Sequence, residues 1–270
     1  MRETRSQIMK HYQTNVRHKH KKVYIWIGIG LLCSCFAIFN MQLQNIWIQF
    51  VYKPQQAEVM NVAQIRANQM NLPKTMHKAQ KAKTAKSVDE HIHFSDITNA
   101  KQYRKEMKKY IIGAIYLPNA AGVSLPVIVG NTNEKVQKAG LAVGAVTPMS
   151  NMDFDSKNLV LGSHNMLQRG VEFSNLTDLQ KGDKIYTTDT KNVFTYKVYK
   201  KLEIKPSQVS ILKQHKHNGN QILTLYTCNT DGSLREIVQA EKVKTTKYSK
   251  APKHVTKHFN FSRKRKENLI

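Results

Sequence analysis

Acids are scarce in this chain of 270 residues: 18 Asp and Glu stand against 43 Lys and Arg, a formal net charge of +25. That balance calls for an anionic partner, whether nucleic acid, an anionic membrane or an anionic polymer such as a cell wall. No zinc-finger spacing, RNP-like aromatic motif or helix-turn-helix pattern is present, so nucleic acid is disfavoured. Cysteine is scarcer still, at Cys33, Cys35 and Cys228. No long repeat is visible. Long apolar runs are absent but for one, Val23 to about Met41.

That run is uncharged and follows a basic segment carrying Arg2, Arg5, Lys10, Arg17, Lys19, Lys21 and Lys22 against the single acid Glu3. A helix continuing to Leu43 is roughly 30 Å long, enough to cross a bilayer core. Tyr24 and Trp26 mark one end, Trp47 and Tyr52 the other, as interfacial aromatic belts do. The positive-inside bias puts residues 1–22 in the cytoplasm as a basic tail, 23–43 in the membrane, and the rest outside. No small-x-small site follows the run, which favours an uncleaved anchor over a signal peptide. Leu32-Cys33-Ser34-Cys35 weakly resembles a lipoprotein processing box, but small apolar residues of a membrane helix account for both cysteines more simply.

Residues 44–108 are rich in Gln, Lys, Ala and Asn, and Lys78–Lys86 is of low complexity. They read as a stalk, with helical potential at Ala57–Met70 and a short helix near Asp96–Lys109. From residue 109 to 247 short β-rich runs recur: Ile111–Leu117, Leu125–Val129, Leu141–Val146, Asn158–Ser163, Lys184–Thr188, Val193–Ile204, Ile222–Cys228 and Arg235–Val243. Phe173–Leu179 reads as one short helix, with Ser174 or Asn175 as its cap. Pro126 suggests an edge or a bulge. Eight strands at this spacing predict an all-β antiparallel barrel or sandwich. Residues 248–270, ending Arg263-Lys264-Arg265-Lys266, read as a basic disordered tail able to touch anionic polymer or lipid.

The chemistry centres on Gln221–Cys228, Q-I-L-T-L-Y-T-C, a strand ending in the one cysteine beyond the apolar run. Asp231-Gly232 then turns the chain into a strand opened by Arg235. A lone cysteine is usually buried and inert. An unpaired external thiol beside a guanidinium is instead a candidate nucleophile, because a cation favours the thiolate. Its proton-transfer partner is best sought in His164, which follows the apolar strand Leu159–Ser163. His91, His93, His215 and His217 lie in the stalk or in a basic loop and read as solvated.

These residues resemble the sortase family, membrane-anchored cysteine transpeptidases of Gram-positive bacteria. Thr224-Leu225-Tyr226-Thr227-Cys228 matches the family's Thr-Leu-x-Thr-Cys motif. Gly162-Ser163-His164-Asn165 resembles its His segment, and Arg235 falls where its Arg is expected. Phe173–Leu176 and Leu179–Asp183 resemble the helix and turn between these elements. The likeness covers about Ile111 to Val243. An N-terminal anchor, with neither a second span nor an Asp-Pro-aromatic lid motif, is more like class A than the pilus-building class C.

The resemblance implies an eight-stranded sortase barrel with one or two short helices. It also implies cleavage of a Leu-Pro-x-Thr-Gly sorting signal between Thr and Gly. Cys228 would be the nucleophile, His164 the acid and base, and Arg235 the stabiliser of oxyanion or substrate backbone. The acceptor would be the amine of a peptidoglycan precursor, lipid II. Thr227 would help orient substrate or oxyanion, and Val209 and Ile211 would contact the signal's Leu and Pro or simply cover the barrel end. Thiol with neutral imidazole and thiolate with imidazolium both remain open for the resting site. Some class A members bind calcium through loop carboxylates. Here one such loop offers only Glu134, and Lys205–Asn220 offers no acid. Calcium independence and the absence of any metal or cofactor are therefore expected. Two other readings keep the same residues: a cysteine peptidase with water as acceptor, and a non-enzymatic membrane-tethered wall-binding protein.

Overall fold

The computed structural model describes residues 5–47, 60–79, 102–103, 105–130, 134–166, 168–259 and 261. The chain divides into two compact units, Met1–Lys53 and Pro54–Ile270. The first is built on a single helix, α1 (Arg5–Trp47). The helix runs through the basic segment as well as the apolar one. Its stretch Lys22–Asn40, of mean hydropathy 1.9, is long and apolar enough to cross a membrane. Val23, Trp26, Leu32 and Phe36 on it are exposed.

In the second unit eight strands close into a barrel. They are β1 (Ile111–Leu117), β2 (Val123–Ile128), β3 (Ala145–Val146), β4 (Asn158–Gly162), β5 (Lys184–Thr188), β6 (Asn192–Ile204), β7 (Ile222–Cys228) and β8 (Arg235–Lys247). Their order round the barrel is β1-β2-β3-β4-β7-β8-β6-β5. The β2–β3 and β4–β7 pairs are parallel, the others antiparallel. Closure leaves no long unpaired edge, and side chains alternate across the wall. Ile115 and Leu117 join Leu159, Leu161, Leu223 and Leu225 in the main core, whereas Ala114 and Tyr116 turn to a second cluster. Pro126 pairs with Ala114 and lies one residue before the β2–β3 ladder begins at Val127. Its missing N–H thus falls outside that ladder.

The second cluster covers the outer face of β1 and explains why that strand is buried along its whole length. One cover is α2 (Val62–Ala79), in a region that reads as stalk in the sequence. Met60 and Ile65 are fully buried against the barrel. Asn61 caps the helix, its side-chain oxygen accepting from the N–H groups of Ala63 (2.9 Å) and Gln64 (3.2 Å). Amide side chains then bind the backbone: Asn68 donates to Lys108 O (2.7 Å) and Ile111 O (2.8 Å), and Gln69 to Ile112 O (2.6 Å) and Asp189 O (2.8 Å). A contact face built from amides carries little apolar periodicity, so the sequence pattern does not announce it.

The other cover is C-terminal. The segment that reads as disordered tail forms a 3-10 turn at Tyr248–Lys250, the short helix α4 (Lys253–Thr256) and a further turn at Lys257–Phe259. Ala251, Val255 and Phe259 are buried in the second cluster, and His258 stacks on Tyr116 with ring centroids 4.3 Å apart. Residues 260 and 262–270, with the terminal basic run, lie outside the described residues. Phe259→Ala is expected to destabilise the second unit by about 3–5 kcal/mol, as deleting a fully buried aromatic does. Thermal unfolding of the full chain checks this, and an unchanged midpoint would mean that the segment does not dock.

Two local expectations change. Leu141–Val146 is not one strand: helix α3 (Glu134–Leu141) ends there, and only Ala145 and Val146 pair as β3. A short apolar run does not distinguish strand from buried helix end by its pattern. Phe173–Leu179 holds one 3-10 turn, Leu176–Asp178, and no side chain caps it. Asn175 bonds instead to Asp178 (2.9 Å) and receives the N–H of Gly170 (2.8 Å).

Candidate active site

Parallel pairing of β4 with β7 sets the site. Gly162, the last residue of β4, pairs with Tyr226 near the end of β7. Both strands therefore deliver their C-terminal ends to the same rim of the barrel. β8 runs antiparallel to β7, and Cys228 pairs directly with Arg235. The segments carrying His164, Cys228 and Arg235 thus meet at one rim, although 64 residues separate the first two in sequence.

Hydrogen bonds lock the His turn to the Cys strand. Ser163 N–H donates to Tyr226 O (3.3 Å), Thr227 Oγ1 donates to Ser163 O (2.8 Å), and Asn165 Nδ2 donates to Cys228 O (3.1 Å). His164 is buried, and its carbonyl accepts from Phe173 N–H (2.9 Å). Cys228 is half-buried, so its thiol is neither sealed in the core nor fully solvated. Thr227 is buried, with its hydroxyl engaged by the His turn. That bond gives it the task of holding the turn.

Arg235 is the largest fully buried side chain of the protein among the described residues. Its Nη1 donates to Gly232 O (2.9 Å) and Leu234 O (3.0 Å). The turn it grips is braced from within. Leu234 N–H donates to Asn229 Oδ1 (3.0 Å), while Ser233 donates to Asp231 Oδ1 through N–H (2.9 Å) and Oγ (2.6 Å). The bonds from Ser233 hold the Asp231 carboxyl below its ordinary range. A guanidinium tied at one nitrogen to a rigid turn keeps a fixed direction.

Gly162 explains how the ends come so close. A Cβ built there would lie on the ring of Tyr226, against its Cζ and hydroxyl. Gly162→Ala is expected to displace that ring, destabilise the unit by about 1–3 kcal/mol as overpacking does, and depress activity by shifting the His turn. Unfolding and turnover of one preparation check it, and a variant matching the parent in both would show that Tyr226 yields freely.

The first motif residue, Thr224, works at the other end of the strands. Its Oγ1 donates to Asn158 Oδ1 (2.8 Å), and Asn158 Nδ2 donates to Ile211 O (2.8 Å) and Lys213 O (3.1 Å). The loop between β6 and β7 is thereby tied at Ile211 near the start of β4, the end remote from His164. Ile211 is buried in the main core, whereas Val209 is exposed. Of the two residues named for the sorting signal, only Val209 offers a free surface. In the same loop His215 is exposed, but His217 is half-buried and stacks on Tyr199 at 3.9 Å between centroids. His91, His93 and the side chain of Glu134 lie outside the described residues. Among the described residues no group of three or more His, Cys, Asp or Glu gathers as a metal site would.

In the sequence Asn165 and Ser163 stand beside His164 with no task of their own, Asn158 only opens a strand, and Glu172 does not stand out. The local signal was present only for Asn165 and Ser163, as neighbours of His164.

The comparisons with known proteins agree with this geometry. The sortase domain profile matches residues 115–243. Sortase A of Bacillus anthracis is 35% identical over 140 residues, covering 51% of this chain and 62% of that protein. Sortase A of Streptococcus agalactiae is 27% identical over 243 residues, covering 87% of this chain and 91% of that one. The solved structure of Listeria monocytogenes sortase A is 31% identical, with a TM-score of 0.48, covering 57% of this chain and 99% of that one. The match to the Bacillus protein thus spans less than two thirds of that relative's length. A matching domain profile, relatives that all carry one family name, and a closed eight-stranded barrel together place this chain in the sortase family, similar to sortase A.

Proposed function

We propose that the protein is a cysteine transpeptidase that anchors surface proteins to the cell wall. The observation that carries this reading is the meeting of the His164, Cys228 and Arg235 segments at one rim, through the β4–β7 and β7–β8 pairings. Cys228 Sγ attacks the carbonyl between Thr and Gly of a Leu-Pro-x-Thr-Gly signal. The C–N bond breaks as His164 protonates the departing amine, leaving a thioester on Cys228. His164 then takes a proton from the incoming amine of lipid II, which attacks the thioester and restores the thiol. Arg235 stabilises the oxyanion of each tetrahedral stage or holds the substrate backbone. Thr227 keeps the His turn in register, and Val209 contacts the apolar part of the signal while Ile211 supports its loop from the core. The apolar part of α1 anchors the protein in the cell membrane with its N-terminus in the cytoplasm and the barrel outside. The basic tail meets anionic wall polymer or lipid.

The test incubates the full chain in detergent micelles with a Leu-Pro-Glu-Thr-Gly peptide and triglycine, and identifies products by mass. Cleavage between Thr and Gly with triglycine joined to Thr is expected. Water as the only acceptor makes the protein a peptidase. No cleavage of any sorting-signal variant removes the reading.

A further inference from the structure

One buried carboxyl has no task in that scheme. Glu172 is 1% exposed and has φ of 45°, in the left-handed region that non-glycine residues rarely adopt. Such a conformation persists where the surroundings over-determine it, and it clusters at functional sites. Burial holds the carboxyl well above the ordinary range.

The surroundings are the back of the His164 turn. Ser163 Oγ lies 2.6 Å from Glu172 Oε2 and 2.8 Å from the carbonyl oxygen of Gly144. The hydroxyl has one proton and the carbonyl has none. Were the carboxyl ionised, three oxygens would share that single proton, and one short contact would be bare repulsion. With a protonated carboxyl both contacts are satisfied. Glu172 donates to Ser163 Oγ, and Ser163 donates to Gly144 O. Ser163 is also the residue bonded to Tyr226 and Thr227 of the Cys strand, and Phe173, next to Glu172, donates to His164 O. Both sides of His164 are therefore braced from one small frame. The ionisable groups on the bonded segments are His164 itself, Tyr226 and Cys228 on β7, Arg169, which pairs with Asp178 at 3.0 Å, and the half-buried Lys138 in the last turn of α3, whose final residue Leu141 places its carbonyl oxygen 3.5 Å from Ser163 Oγ. Residues 141–146 bring none.

We propose that Glu172 is a positioning residue for His164: as an uncharged acid it donates to Ser163 Oγ, and the Glu172–Ser163–Gly144 chain fixes the turn that carries the imidazole. Its effect on turnover rests on the transpeptidase reading.

The test uses the full chain in micelles with the Leu-Pro-Glu-Thr-Gly peptide and triglycine. Glu172→Gln keeps a donor of the same shape, so its kcat should stay within about threefold of the parent. Glu172→Leu removes the donor, and kcat should fall by roughly tenfold or more with KM nearly unchanged, because the peptide never touches the residue. Ser163→Ala removes the relay but leaves the backbone bonds, and should give the same split even where the Leu variant does not fold. A Ser163→Ala protein with parental kcat overturns the proposal.

A second readout needs no substrate. The carboxyl has an ordinary pKa of 4.5 and a higher one when folded. Its contribution to stability is full below 4.5 and is lost as pH rises through the folded value. Glu172→Gln does not titrate, so its stability relative to the parent should grow with pH over that window. A difference that stays constant with pH overturns the uncharged acid. An inactive parent with a growing difference removes the transpeptidase reading and upholds the acid.

Discussion

Cys228→Ala protein is expected to lose all measurable transpeptidation while folding as the parent does. The residue ends β7, and its backbone bonds with Arg235 and Asn165 do not use the side chain. The thiol is half-buried, so its removal opens no core cavity. Stability should therefore change by less than about 1 kcal/mol. Activity should fall far more steeply, because Cys228 is the one thiol of the second unit, Cys33 and Cys35 both lying in the first. Removing the nucleophile of an acyl-transfer enzyme lowers kcat by about 10⁵-fold or more, some 7 kcal/mol of barrel-borne transition-state stabilisation. The measurement pairs thermal unfolding with mass analysis of the protein after exposure to the peptide. The parent should show an acyl adduct on Cys228 and the variant none. Turnover that survived in the variant would return Cys228 to a structural role and require another nucleophile, whereas a parent with neither adduct nor turnover would favour the wall-binding reading.

Replacement of Arg235 should follow as the next largest effect, and it should separate shape from charge. The guanidinium is buried and gripped through Nη1 by two turn carbonyls, those of Gly232 and Leu234. Arg235→Ala leaves both carbonyls without that donor, at about 1–3 kcal/mol of stability. It also removes the proposed oxyanion donor, for a loss of about 10²–10³ in kcat. Arg235→Lys keeps the charge, but an ammonium has no planar fork with which to hold the turn and face the substrate at once. Its kcat should fall nearly as far as that of the Ala variant. Parallel measurement of kcat and of unfolding distinguishes the two losses. A Lys variant within about threefold of the parent would mean that Arg235 supplies charge alone, and the oriented-donor role would fail.

Much of this was legible along the chain because it is local. Strands β1, β5 and β7 appear in the sequence at the bounds they have in the barrel, since β-branched and aromatic runs between turn residues need no distant partner to be recognised. Cys228, His164 and Arg235 could each be assigned to a strand end for the same reason. The apolar stretch within α1 depends on composition and length alone. The two covers of β1 were hidden. Asn68 and Gln69 bind backbone oxygens with amides, and Val255 and Phe259 are isolated apolar residues in a basic segment, so neither has a periodic signature.

Adjacency was decided only in three dimensions. Nothing near Gly162 specifies that β4 lies beside β7, runs parallel to it and stops level with Tyr226. That choice belongs to closure of the whole barrel, in which each strand must bury one face and satisfy both edges. The same holds for Glu172. By residue type it should be on the surface, and it becomes a buried acid because the Ser163 hydroxyl and the Gly144 carbonyl converge beside it from two other segments. Residue type and local pattern therefore determined which chemistry the chain carries. Packing decided which of those groups meet, because contact between residues far apart in sequence is set by the shared core and not by either neighbourhood.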